Sequence, residues 1–310
     1  MHAPLSMILF TTLLGAAQGL LLVLWGLDAA SAAGLLQAPP LLFMAGAGVV
    51  LVLGAAGLVA ASFHLGHPWR GWRATAMWRT SGLSREVIVL PAFLGAVLAW
   101  GAAHALGGPS LAWGTLAALL AGALYVCTGM IYAAIKALRE WATPLTPLNY
   151  ALIGLASGAV LASALVAKLA PALLPGVATL AWAATLLAGG VRGATLHRNL
   201  GLVPKTTLQT AIGVRHPRIV QKAQGAMGGS FNTREFFHGR SRAFVHRLRW
   251  VAGLLGFALP VLALALAGPR LAPPLLLLLW GLQSLGLLAE RWSFFSEARH
   301  PQNLYYASIS

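Results

Sequence analysis

The residues best suited to chemistry lie close together in one short stretch, residues 62–88. This stretch carries two histidines, four arginines, three tryptophans and one glutamate between two long apolar runs. His64 ends the first run and Glu86 opens the second, so both are expected near membrane depth if the runs cross a bilayer. Polar side chains are costly at that depth, and they therefore mark candidate functional sites.

The residues that follow His64 favour a sharp turn. Gly66 and Pro68 should reverse the chain and bring Arg70 back toward the depth of His64. A neutral imidazole can donate a hydrogen bond to a quinone carbonyl and pass on a proton. The stretch therefore predicts a redox site for a lipid-soluble quinone, with His64 on one carbonyl and Arg70 positioning that end. A purely structural role for a histidine at a helix end stays open.

Glu86 has two interpretations that the spacing does not separate. An acidic residue at the start of a helix is favoured by the helix macrodipole, and an Arg–Glu pair within the turn would serve equally well. Partial burial would instead suit a carboxyl that donates protons near the ring. Ser84, Trp69 and Trp78 complete the predicted quinone site, although tryptophans are also typical anchors at the membrane interface.

A second acidic candidate lies at the end of the last apolar run. Glu290 and Arg291 follow each other there, at the same predicted membrane level as His64. They form either a structural ion pair or a second proton relay. Glu86 and Glu290 are thus the two predicted catalytic carboxyl groups.

Composition identifies the elements that must position these residues. The chain of 310 residues is 58% hydrophobic and 9% charged, with a mean hydropathy of +0.77. A soluble domain carries about 25% charged residues, and a helix needs about 20 mostly apolar residues to span a bilayer. We predict an all-α integral membrane protein, one domain of residues 1–310, with eight transmembrane helices. The predicted spans are residues 5–27, 41–63, 86–106, 111–135, 148–169, 177–196, 250–267 and 274–289.

Two features of the predicted bundle concern its packing and its loops. Gly154 and Gly158 form a small-xxx-small pattern that indicates close helix packing. A long basic loop at residues 197–249 and a tail at residues 291–310 are predicted outside the spans. The loop could lie on anionic lipid, as basic amphipathic segments do. It could instead dock a soluble partner, because loops of this length usually carry function.

The basic residues predict the orientation. Most Lys and Arg fall in the turn at residues 62–88, after the fourth span, in the long loop and in the tail, against only Lys168 and Arg270 on the other side. The positive-inside rule then places both termini, the candidate site and the long basic loop in the cytoplasm. No basic module stands apart from the spans, so lipid and a docked subunit, not nucleic acid, are the expected partners. The predicted docking arginines are Arg73, Arg79, Arg85, Arg215, Arg218 and Arg240.

The sequence also limits which redox groups this chain can hold. Cys127 is the only cysteine, which excludes an internal disulfide and an iron–sulfur cluster bound by this chain alone. None of the nine histidines lies in the middle of a predicted span, although His64 and His197 end spans on the same side. We therefore expect neither haem nor metal in this chain.

These residues resemble a known family. The motif His64-Leu-Gly-x-Pro68-x-Arg70, followed by Leu83-Ser-x-Glu86 and the late Glu290-Arg pair, is similar to the membrane-anchor subunit of dimethyl-sulfoxide-reductase-type molybdoenzymes (the DmsC type). The resemblance implies a haem-free anchor that binds ubiquinone or menaquinone near His64, Arg70 and Glu86. It also implies two partners, an iron–sulfur subunit and a molybdenum-pterin catalytic subunit.

One branch of that family fits the predicted orientation. The predicted cytoplasmic site and the sequence of residues 77–93 resemble the anchor of cytoplasmic sulfite:quinone oxidoreductase. This resemblance implies that electrons flow from sulfite through the iron–sulfur clusters of a partner subunit to quinone. The alternatives are the anchor of a dimethyl sulfoxide reductase that oxidises menaquinol, a structural anchor without a working site, and a transporter. A transporter would place its polar groups at the bilayer midplane.

Overall fold

The structure, a computed structural model, describes residues 4–63, 65–203, 206–220 and 238–301. Eight helices of this described part are long and apolar enough to cross a membrane, as the sequence predicts. They are α1 (Leu5–Ala32), α2 (Pro40–Ser62), α3 (Gly82–Leu106), α4 (Ser110–Ala133), α5 (Leu145–Leu169), α6 (Leu174–Leu200), α7 (Arg242–Arg270) and α8 (Pro273–Glu297).

Several helices run past the ends that hydropathy predicts. α1 continues to Ala32, while α6 ends at Leu200 and α7 begins at Arg242, so the connection predicted at residues 197–249 covers only residues 201–241. α8 continues to Glu297 instead of stopping at residue 289. Glu290 and Arg291 therefore lie inside a helix and do not close it. The predictions ended at the first charged or strongly polar residues, and the fold accommodates two of these charges in buried pairs, Asp28 with His104 and Glu290 with Arg192.

Glycines let α1 and α5 cross with their backbones in contact. A Cβ added to Gly19 would collide with the backbone of Gly154, and one added to Gly158 would collide with the backbone at Gly19 and Leu20. This confirms the close packing predicted from Gly154 and Gly158. The two helices lie at the centre of the bundle, since α1 also packs on α2 and α4, and α5 on α6 and α8.

α7 changes its helical winding halfway along. Residues Leu254–Ala258 form a π-helical turn between two α-helical segments. Pro260 follows, and because proline has no N–H, the carbonyl of Gly256 lacks the donor that an α-helix would supply. The amide of the fully buried Gln283 on α8 donates to that carbonyl at 3.4 Å. α7 and α8 are thus joined where the α-helical hydrogen bonding is interrupted.

The bundle has two chemically different ends. The connections between α2 and α3, α4 and α5, and α6 and α7 start and finish at the end that we call the basic end, where α8 also finishes. Twelve of the 21 Lys and Arg residues fall in these connections or beyond Glu297 in the sequence. At the opposite end the connections are short; the one after α3 begins with Gly107 at a φ of +71°, which glycine adopts without strain.

Candidate functional site

Glu86 is buried near the start of α3, at the basic end. The Ser81 hydroxyl accepts a hydrogen bond from the Ser84 N–H at 3.4 Å and caps the helix. Glu86 then faces α4, where the Thr128 hydroxyl donates to its carboxylate. Ser84 and Glu86 are only 3% and 4% exposed, so the structure brings both predicted residues into the bundle.

The turn before α3 places its other predicted site residues outside the bundle. Trp69 and Trp78 are 92% and 53% exposed, and Arg70 is exposed in a 3-10 helix, Pro68–Met77, that packs against α3. His64 lies outside the described residues. Of the predicted quinone site, the fold therefore buries Ser84 and Glu86. It leaves Trp69, Arg70 and Trp78 at the surface.

The six predicted docking arginines are exposed, as a contact surface requires. Three of them lie over aromatic rings: the Arg73 guanidinium over Trp72 at 5.7 Å, Arg79 over Trp78 at 5.4 Å and Arg240 over Phe244 at 5.5 Å. Arg85 donates from Nε and Nη2 to two backbone carbonyls of the preceding turn, at 2.9 and 2.7 Å. An ion pair between Arg85 and Glu86 within the turn is therefore not formed, because Glu86 faces α4.

Buried aromatic and charged residues continue from Glu86 across the basic end. Thr128 and Tyr132 lie four residues apart on one face of α4. The Tyr132 ring stacks on the Tyr150 ring of α5, with centroids 5.6 Å apart and planes at 9°. The Arg291 guanidinium of α8 lies 4.1 Å from the Tyr150 centroid. A continuous row of packed groups therefore joins the Glu86 carboxyl to α8.

Glu290 lies at the end of this row in a buried network of ion pairs. Its carboxylate is 2.9 Å from Arg291 Nε and 2.7 Å from Arg192 Nε of α6, so Glu290 and Arg291 form a buried ion pair, and the predicted catalytic role of Glu290 stays a prediction. Arg192 Nη2 is also 3.0 Å from Glu297, which lies 3.8 Å from Arg249 Nε. Arg192 was not among the predicted site residues, although an arginine inside a predicted span is itself a signal of function.

A groove opens beside this network between α6, α7 and α8. Its volume is about 400 Å³, within the usual range of small-molecule sites. Its polar lining consists of Thr185, Arg192, Arg249, Glu290, Ser293 and Glu297, and glycines and apolar residues of α6 and α7 form the rest. Because α6 residues at its edge are exposed, the groove is open toward the surface of the bundle.

A smaller polar cluster, also missed, lies at the opposite end. The Asp28 carboxylate of α1 accepts from Trp100 Nε1 of α3 at 2.8 Å and lies 3.1 Å from His104 Nε2. The His104 ring stacks on Phe43, with centroids 4.5 Å apart. Asp28 follows directly after the predicted end of the first span. A charged residue in that position was the feature of the sequence that could have predicted this cluster. Within the described residues, no three His, Cys, Asp or Glu side chains gather to hold a metal ion.

Comparison with known proteins assigns the chain to a family. Residues 1–214 match the family described as DMSO reductase anchor subunit (DmsC). The chain is 49% identical to a sulfite dehydrogenase subunit of Allochromatium vinosum, along 325 aligned positions that cover 100% of both chains. These matches confirm the resemblance seen in the motif around His64 and Glu86. The chain therefore belongs to the DmsC family of membrane-anchor subunits of dimethyl-sulfoxide-reductase-type complexes.

Proposed function

We propose that this chain is the quinone-reactive membrane anchor of a sulfite-oxidising complex, and that quinone is reduced at the basic end beside Glu86. The full-length 49% identity to a subunit of a sulfite dehydrogenase supports the choice of sulfite. The observation that carries the quinone site is the Glu86 carboxyl, which is 4% exposed and, among the described side chains, accepts a hydrogen bond from the neutral hydroxyl of Thr128.

The proposed reaction is divided between subunits. Sulfite and water give sulfate, two protons and two electrons in a molybdenum-pterin subunit, and the electrons pass through an iron–sulfur subunit to the anchor. Quinone accepts two electrons and two protons and becomes quinol. With one cysteine, this chain cannot bind an iron–sulfur cluster by itself, so it supplies the ring site and the protons.

Each site residue has a distinct role in this proposal. Glu86 makes no ion pair with another described residue, so no fixed cation holds its carboxyl in the charged form. It is therefore free to bind and release a proton. His64 donates a hydrogen bond to one ring carbonyl and Arg70 positions that end. Ser84, Trp69 and Trp78 complete the ring site, the two tryptophans once a docked partner covers them.

The charge distribution supports the orientation of this proposal. The basic end faces the cytoplasm of a bacterial inner membrane, and both termini lie on that side. The exposed docking arginines, with Arg73 and Arg79 beside exposed tryptophans, contact the iron–sulfur subunit. The remaining basic residues contact anionic lipid.

The variant Glu86→Gln tests the proposal in the purified complex. We expect sulfite oxidation with an artificial dye to be unchanged and sulfite-dependent quinone reduction to fall roughly 100-fold, because a positioned proton donor contributes about that much. Glu140→Gln, at the same end between α4 and α5, is the matched control and should leave both activities unchanged. Normal quinone reduction by Glu86→Gln would remove Glu86 from the mechanism, and turnover only with quinol and dimethyl sulfoxide would favour the reductase alternative.

A further inference from the structure

The groove between α6, α7 and α8 has walls that leave room for a flat ring. Gly190 and Gly193 of α6 and Gly253 of α7 line it, and a Cβ at any of them would meet nothing within 4 Å. Phe257, in the π-helical turn of α7, contributes an aromatic face to the wall. Such π turns are frequent at functional sites because they displace the side chains that follow.

Ser293 gives the groove an unused hydrogen-bond donor. The residue lies on α8, is 2% exposed and lines the groove; its hydroxyl oxygen is covered by neighbouring atoms and has no hydrogen-bond partner among the described residues, so it reaches a molecule in the groove by rotating about the Cα–Cβ bond. Buried polar atoms are normally paired, so an unpaired hydroxyl on a residue that lines a cavity can take its partner from a bound molecule. That partner must offer an acceptor or a donor within reach of Ser293.

The charges of the groove restrict what that partner can be. Arg192 and Arg249 line the groove together with Glu290 and Glu297, and each of these arginines already lies within 4.0 Å of a carboxylate; Glu290 also pairs with Arg291, which lies outside the lining. An anionic phosphate would have to displace a buried carboxylate or lie against it, which like-charge repulsion disfavours. An uncharged molecule with carbonyl oxygens leaves these pairs intact and accepts from Ser293.

We propose that this groove is a second quinone-binding position, entered from the side of the bundle, in which the Ser293 hydroxyl donates to a ring carbonyl. The inference rests on the proposed function, that the chain works with a membrane quinone. Glu86 does not line the groove, so the two positions are separate. The buried row from Glu86 through Tyr132, Tyr150 and Arg291 lies between them.

Photolabelling of the intact complex tests this position directly. The complex in lipid nanodiscs is irradiated with an azido-quinone, and the labelled peptides are identified by mass spectrometry. We expect label in residues 185–196 and 252–261. Gly193→Leu, which adds a side chain to the groove lining at a position where a Cβ meets nothing within 4 Å, should reduce that label at least tenfold. Gly176→Leu, the same change in an open position of α6 outside the groove, should leave it unchanged.

Ser293→Ala keeps the proposal testable if the glycine variants do not assemble. Its hydroxyl has no described partner to lose, so assembly should be normal while the quinone concentration for half-maximal labelling rises several-fold. Label confined to residues 62–88 would overturn the groove and leave the proposed function standing. Label that persists in Gly193→Leu, or a tightly bound phospholipid that quinone does not displace, would also overturn it. A complex that neither binds nor reduces quinone would refute both proposals.

Discussion

Two cavities of nearly equal volume differ almost completely in what lines them. The groove at the basic end, about 400 Å³, has four charged side chains and a serine. A cavity of about 380 Å³ at the opposite end, between α1, α6 and the connections that follow α1 and α5, is lined only by apolar residues and Gly26 and Gly176. Lipid tails fill an apolar crevice as well as any ligand does, so volume alone does not identify a site in a membrane bundle.

One helix contributes to both cavities. The first half of α6 lines the apolar cavity with Gly176, Val177 and Leu180, and its second half lines the groove around Arg192. The difference therefore comes from the partners of α6. Glu290 and Glu297 of α8 can approach Arg192 at one end, whereas at the other end α1 contributes only apolar residues and Gly26 to the cavity.

The largest effect should come from removing Arg192, the buried one of the two arginines that line the groove. Arg192→Ala leaves Glu290 with Arg291 alone and deprives Glu297 of its closer guanidinium. Breaking a buried pair from one side costs about 3–5 kcal/mol. Thermal unfolding of the detergent-solubilised chain should show a marked loss of stability, while Arg247→Ala, an exposed arginine of α7, should change little. Equal stability of the two variants would mean that the Arg192 network does not support the fold.

An intermediate effect is expected from the polar cluster at the opposite end. Asp28→Ala leaves Trp100 Nε1 without its buried acceptor, which costs about 1–3 kcal/mol. Unfolding should therefore occur at lower temperature, but quinone reduction by the folded complex should be unchanged because Asp28 is remote from the basic end. A lower quinone turnover in this variant would contradict the functional division between the ends. Asp28→Asn retains one acceptor oxygen and should lie between Asp28→Ala and the unmodified chain.

The smallest effect should come from the apolar cavity. Val177→Ala enlarges it at a side chain that is 3% exposed. Because lipid is as apolar as valine, only packing contacts are lost, and we expect a cost of about 1 kcal/mol or less. Unfolding temperature and quinone labelling should both stay close to those of the unmodified chain. A change in quinone labelling would indicate that this cavity also takes part in binding.

The spans were predictable because each one is a local property of about 20 consecutive residues. Their order, their all-helical character and the contact at Gly154 and Gly158 follow from hydropathy and from small-residue spacing. Glu86 was also found in this way, as a carboxyl at the edge of a span, and the structure buries it. The family motif around residues 64–86 is equally local, and the comparisons agree with it.

What the tertiary structure alone decided is which charges meet. Arg192, Glu290 and Glu297 are up to 105 positions apart, and only the packing of α6 against α8 brings them together. Asp28, Trp100 and His104 likewise meet only where α1 passes α3. Hydropathy treats each charge as the end of a span because it counts the cost of burying that charge alone. A partner on another helix reduces this cost, and the sequence does not state which helices will be neighbours.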